Sequence, residues 1–287
     1  MMTIVFLVLV SVCVFGGYML EGGPIHAIYS VWQEYIIVFG SGGFIFLAMM
    51  PSKILKHIGT YMSGPFVASK YEKDTYTDAL KVMYECFINL KRNGLLSLEK
   101  DVSNPEASSI FSKYPSFLGD HHALDFYCDS LKLVINYNSK PEDVEQAMNA
   151  ELDAHHAEAN IAPGAINRLA DAMPAVGIVA AVLGIIIAMA HIDGPPSELG
   201  HKVSAALTGT LLGIFTAYGY CQPIAQHIEY LGEDEAQYFQ CLKEGLITYL
   251  GGAEPMAAVE IARRSIHSYN RPSSMELEEA ISGIKPR

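Results

Sequence analysis

Between Asp171 and Asp193 the chain runs for 21 residues without an Asp, Glu, Lys or Arg. A helix needs about 20 apolar residues to cross a hydrocarbon core of about 30 Å, so a run of this length and purity reads as a membrane span. Three further stretches share the property: residues 1–20, residues 35–52 between Glu34 and Lys53, and residues 203–228 between Lys202 and Glu229. The second is the shortest and is rich in glycine. The first lacks the basic start and small-residue cleavage site of a secretory signal, so it is expected to remain as a span.

Composition and charge placement extend this reading. Charged residues make up 17% of the 287-residue chain and hydrophobic residues 51%, against about a quarter charged in soluble domains. The net charge of −12 leaves no basic footprint, which excludes nucleic acid as a partner. Of 19 Lys and Arg, 12 fall in 53–168 and six in 243–287, while the short turns 21–34 and 193–202 hold only Lys202. The positive-inside rule then places both charged segments and both termini in the cytoplasm, with the turns outside. The expected fold class is an all-α membrane protein with four transmembrane helices and a large helical cytoplasmic domain. Its parts are 1–52 (spans one and two), 53–170 (cytoplasmic helical domain), 171–228 (spans three and four) and 229–287 (cytoplasmic helical tail).

Within 53–170, Leu80, Met83, Phe87 and Leu90 repeat with helical period up to Gly94, and Leu124, Tyr127, Cys128, Leu131, Val134 and Ile135 do so behind Asp120, a candidate N-cap. "SKPE" at 139–142 reads as a capping box that opens a stripe of Val144, Met148 and Leu152. No catalytic motif is present: there is no G-x-x-x-x-G-K, G-x-S-x-G or H-E-x-x-H, so no catalytic residue is assigned. The pairs His121–His122 and His155–His156 are sequence neighbours that point to different helix faces, so no metal site is expected from either. The five cysteines lack C-x-x-C spacing and read as reduced thiols.

The spans carry their own pattern. Ala205, Gly209, Gly213 and Ala217 lie four apart, a small-residue ladder that lets helix backbones approach closely, either within the chain or between subunits. Ser204, Thr208, Thr210, Thr216, Tyr218, Tyr220 and Gln222 supply polarity, and a hydroxyl in a helix can satisfy itself on its own backbone. An ion path through lipid normally needs an ionisable group. The middles of these spans have none, so another polypeptide must supply it. Pro174 and Pro223 sit at corresponding depths of spans three and four, as paired bend points.

"DAMPAVGIVAAVLGIIIAM", "ALTGTLLGIFTAYGYCQPIA" and "RRSIHSYNRPSSMELEEAI" resemble the A subunit of the bacterial flagellar motor stator, the MotA family. The likeness runs from "FGGYMLEGG" at 15–23 nearly to the C-terminus. ExbB and TolQ proteins are kin that share the two-span module but not the four-span layout or the tail. The resemblance implies a non-enzymatic, multi-pass inner-membrane stator subunit that couples inward ion flow to rotor torque. It implies a homopentamer around two MotB-type single-span, peptidoglycan-binding subunits, whose aspartate accepts the ion, and a rotor contact with the switch protein FliG. Pro174 and Pro223 match the family's functional prolines, Thr210 matches a hydroxyl on the ion path, and Tyr218 is grouped with them. Ala181 stands where sodium-driven relatives tend to carry threonine, which implies H+ as the transported ion and no other cofactor. In "LKRNGLLSLEK", Lys91 takes the place of a family arginine with Arg92 beside it, and Glu99 matches a rotor-facing acid. An ExbB- or TolQ-like energiser of an outer-membrane machine and a non-conducting scaffold are the alternatives.

Overall fold

The computed structural model describes residues 2–51 and 69–284, so the boundary expected between 52 and 53 lies outside the described residues. The elements begin with α1 (Met2–Leu20), α2 (Ile25–Tyr29), α3 (Trp32–Tyr35), a π-helical turn (Ile36–Gly40) and α4 (Ser41–Met49). There follow α5 (Lys73–Asn93), a 3-10 turn (Leu95–Leu98), α6 (Glu99–Ser103), α7 (Pro115–Leu118), α8 (His121–Tyr137) and α9 (Pro141–Ala159). The chain then forms α10 (Ile161–Met189), α11 (Pro196–Thr216), a second π-helical turn (Ala217–Cys221), α12 (Gln222–Leu250), α13 (Pro255–Ser265) and α14 (Ser274–Ile281). No strand occurs among the described residues, and the fold is all-α.

The described residues form two compact units, those up to 51 with 159–231 and those from 69–158 with 232–284. The division at 158/159 precedes α10, whereas the sequence-derived division at 170/171 falls inside it. Arg168 and Asp171 mark where the helix turns apolar, not where it starts.

Among the described residues, four helical segments are long and apolar enough to cross a membrane. The second of these candidates runs Trp32–Met49, three residues earlier than the sequence run suggests, and so takes in Glu34. Among the described elements, α10 and α11 form the most extensive pairing. Gly177, Ala180, Gly184 and Ala188 of α10 are buried, while Ile178, Val179, Val182, Leu183, Ile185 and Ile186 are 43–59% exposed. Small residues inside and branched ones outside invert the pattern of a soluble helix and suit packing in an apolar solvent.

The second unit is a helical bundle with an aromatic core that includes Tyr76, Phe87, Phe126, Tyr127 and Tyr238. Phe87 stacks on Tyr249 at 4.4 Å and Phe126 on Phe239 at 5.1 Å between ring centres. Its one deeply buried acid on α5, Glu85, is held by Lys113 and by the Tyr114 hydroxyl at 3.1 Å. α5 ends at Gly94, whose φ of +81° closes the helix in a conformation that side chains rarely adopt. Asp120 caps α8 through the Ala123 amide at 3.4 Å. The expected box at 139–142 does not form at that register. The Asp143 and Val144 amides both donate to the Lys140 carbonyl, so Pro141 is the first helical residue, while the Ser139 amide closes α8 on Leu133. Proline suits the first helical position because its missing N–H would have no partner there, and this shifts the start by one residue.

Candidate functional site

The seam between α10 and α11 is built by glycine. A Cβ on Gly213 would meet the Met173 carbonyl oxygen at 2.6 Å and the Gly177 Cα at 2.9 Å, and one on Gly177 would meet the Gly209 carbonyl oxygen at 3.0 Å. Gly209 and Gly213 therefore face the third span of the same chain. At the far end the ladder steps sideways: Ala206, buried, packs on Gly184, while Ala205 is only half-buried. A helix has 3.6 residues per turn, so a strict four-residue ladder drifts and the contact passes to the neighbour. Ala217 is fully buried where the π-helical turn begins.

Thr210 lies on this seam and donates to the Gly177 carbonyl at 3.4 Å, a long bond between spans. Thr208 bonds its own helix at Ser204 (2.9 Å), the ordinary way for a hydroxyl to be satisfied in lipid. Pro174 sits inside α10, one turn before Gly177. Pro223 is the second residue of α12, separated from the second π-helical turn by Gln222 alone. Each proline lacks an N–H and its ring presses on the carbonyl four residues back, here Ala170 and Gly219. A π-helical adjustment beside the proline can repartner a carbonyl freed in this way.

Pro223 and Tyr218 open on a cleft of about 460 Å³ lined also by Asn167, Asp171, Gln222 and Gln226. Sequence reasoning named Gln222 only as polarity within a span and did not single out Asn167, Asp171 or Gln226 as site residues. Their signal was available as i, i+4 polar pairs, Asn167–Asp171 on α10 and Gln222–Gln226 on α12, flanking the two prolines. Ala181 is half-buried, two turns along α10 from Pro174 and away from the cleft.

Glu34 is the second omission. It is 7% exposed, and its Oε2 has no hydrogen-bond partner among the described residues. The same oxygen would stand 2.8 Å from a Cβ on Gly209, so the carboxylate occupies the groove that this glycine leaves open. Reading Glu34 as the polar end of a turn, because it precedes the uncharged run, hid a carboxylate packed among spans two, three and four.

In the second unit Lys91 is ion-paired with Glu254, and both side chains are exposed. Arg92, at the last turn of α5, is exposed and has no ion-pair partner among the described residues. Glu99 opens α6 on the surface, and between them Leu95 and Leu96 are 40% and 70% exposed. Among the described residues the structure thus separates the two neighbouring cations: Lys91 is ion-paired and Arg92 is not.

Residues 4–94 match the family model for the motility protein A N-terminal region, and residues 121–241 match the MotA/TolQ/ExbB proton channel family. The chain is 38% identical to the motility protein A of Salmonella typhimurium over 95% of its own length and 92% of that protein. It is 37% identical to the motility protein A of Escherichia coli over the same shares. The chain belongs to the motility protein A family. Among solved structures, the C. jejuni MotAB structure superposes with a TM-score of 0.76 at 22% identity, covering 95% of this chain and 98% of that one. The flagellar MotAB stator complex of Bacillus subtilis superposes with a TM-score of 0.72 at 22% identity, covering 94% and 98%.

Proposed function

We propose that this protein is the A-type subunit of a proton-driven flagellar stator, seated in the bacterial inner membrane with both termini in the cytoplasm. Family membership along nearly the whole chain carries the reading, and the α10–α11 seam gives it a mechanism. A MotB-type single-span, peptidoglycan-binding subunit supplies the titrating aspartate, and five A subunits surround two such partners. The exposed branched face of α10 offers an apolar wall for that partner, with Thr210 and Ala181 along the path and the Tyr218–Pro223 cleft at its cytoplasmic mouth. Asp171 gives that mouth a negative charge that favours a departing cation. Pro174 and Pro223 supply the two positions where α10 and α12 bend as the partner's acid gains and loses its proton. Against the switch protein FliG, Arg92 and Glu99 are the contact charges, with Lys91 held back by Glu254.

The homologues named motility protein A favour this over an outer-membrane energiser, because the likeness includes the N-terminal spans and the tail. The experiment is a motility assay of Pro174→Leu with membrane levels checked by immunoblot. Normal insertion with lost swimming is expected, because leucine restores the missing donor and stiffens the bend. Full swimming by a normally inserted variant would reject the hinge.

A further inference from the structure

Three helices of the second unit bring two imidazoles and a carboxylate to one point. His122 is the second residue of α8, His155 lies on α9 and Glu235 on α12. His122 Nδ1 is 3.9 Å from Glu235 Oε1, and His155 Nε2 is 3.6 Å from Glu235 Oε2. The three ligand atoms all lie within 4.8 Å of one another. These separations are too long for hydrogen bonds, which close to about 2.7–3.2 Å. They approach a different spacing: donors on a tetrahedral ion with bonds of about 2.0–2.2 Å stand about 3.3–3.6 Å apart. A movement of about 1 Å, within the reach of the exposed His122 side chain, would bring the set to that spacing.

The surroundings are organised for the same end. The Tyr71 hydroxyl, between Asp120 Oδ2 at 3.0 Å and Glu235 Oε1 at 3.1 Å, orients the Glu235 carboxylate. Asp120 has a lysine partner, Lys70 at 3.0 Å, whereas among the described residues Glu235 has no Lys or Arg partner and faces the two imidazoles. The His155 ring is fixed against Phe239 at 5.0 Å and meets the His122 ring edge-on at 6.2 Å. We propose that His122, His155 and Glu235 form a binding site for a divalent transition metal of the Zn2+ class. Two nitrogens and one carboxylate oxygen are the donor set that such an ion takes, with a fourth position left to water. His155 Nδ1 is buried with no hydrogen-bond partner among the described residues. The site therefore lacks one outer-shell support, and its affinity sits about 10–100-fold below that of a fully supported site. A bound ion would tie α8, α9 and α12 together at one point.

The test uses the full-length protein in detergent, freed of any polyhistidine tag, stripped with chelator and titrated with Zn2+ against a coloured competitor. The expected result is saturable binding at about one equivalent per chain, weakened at least about tenfold in His122→Ala and in Glu235→Gln. His121→Ala, one position away on another face of α8, should bind as the unaltered protein does. Because His122 is 73% exposed, its removal leaves the fold intact, which circular dichroism verifies. Absence of saturable Zn2+ binding, or undiminished binding by well-folded His122→Ala, would overturn the proposal.

Discussion

A single methyl group is enough to test the seam. On Gly213 it would collide with backbone, the Met173 carbonyl and the Gly177 Cα, and backbone cannot swing aside as a side chain can. Gly213→Ala should therefore cost about 1–3 kcal/mol as an overpacked contact, whereas Gly17→Ala, with nothing within 4 Å, should be neutral. Thermal melts of both variants in the same detergent measure the difference. A charged residue offers a second test. Hydrogen bonds from Arg263, and then from Arg264, lower the Glu260 pKa from 4.5 to about 2. A depressed carboxyl pKa contributes stability that is present above the unfolded value and lost as the folded-state group takes up its proton. The melting temperature should thus fall as pH drops from about 4.5 toward 2, and Glu260→Gln should flatten that decline. Burial acts oppositely on the thiols of the second unit, pushing Cys128 and Cys241 up to about 12 and keeping them unreactive. That agrees with the reduced thiols read from their spacing.

At the scale of elements, the C-terminal motif shows how a family signature reduces to helix chemistry. In R-P-S-x-x-E, Ser273 accepts from the Glu276 amide at 3.2 Å, and Glu276 accepts from the Ser273 amide at 2.6 Å. This reciprocal box starts α14. The Pro272 carbonyl is held by Arg263 at 2.8 Å, so the tail is tied to α13. Ser273→Ala should cost about 0.5–2 kcal/mol and lower the melting temperature of the second unit. Helix periods and caps were legible because they depend on residues within four positions: α5 up to Gly94 and the Asp120 cap follow the pattern. The register at 139–142 was not, since Ser139 and Pro141 both bid for the helix start and the proline's geometry prevailed. The π-helical turns at 36–40 and 217–221 have no local code either. They arise where a backbone must absorb an extra residue while its neighbours stay packed.

For the whole molecule, the decisive comparison is between adjacent cations. Exposed ion pairs are each worth about 0–1 kcal/mol, so the rotor contact proposed above would depend on which charges remain free to meet it. With Lys91 engaged by Glu254, Arg92→Ala should shrink swimming rings more than Lys91→Ala at equal membrane levels. The sequence alone determined the spans, the helical class and the family, because apolar run length and helical period are properties of contiguous residues that lipid and backbone hydrogen bonding act on directly. It also carried the paired prolines and the small-residue ladder, though not whether that ladder met its own chain. Tertiary structure decided that Gly209 and Gly213 of the ladder pack on α10, that Glu34 lies buried against Gly209, that among the described residues Lys91 is ion-paired and Arg92 is not, and that one histidine from each adjacent pair meets Glu235. Each of these joins residues far apart in the chain, and only folding sets the distance between them.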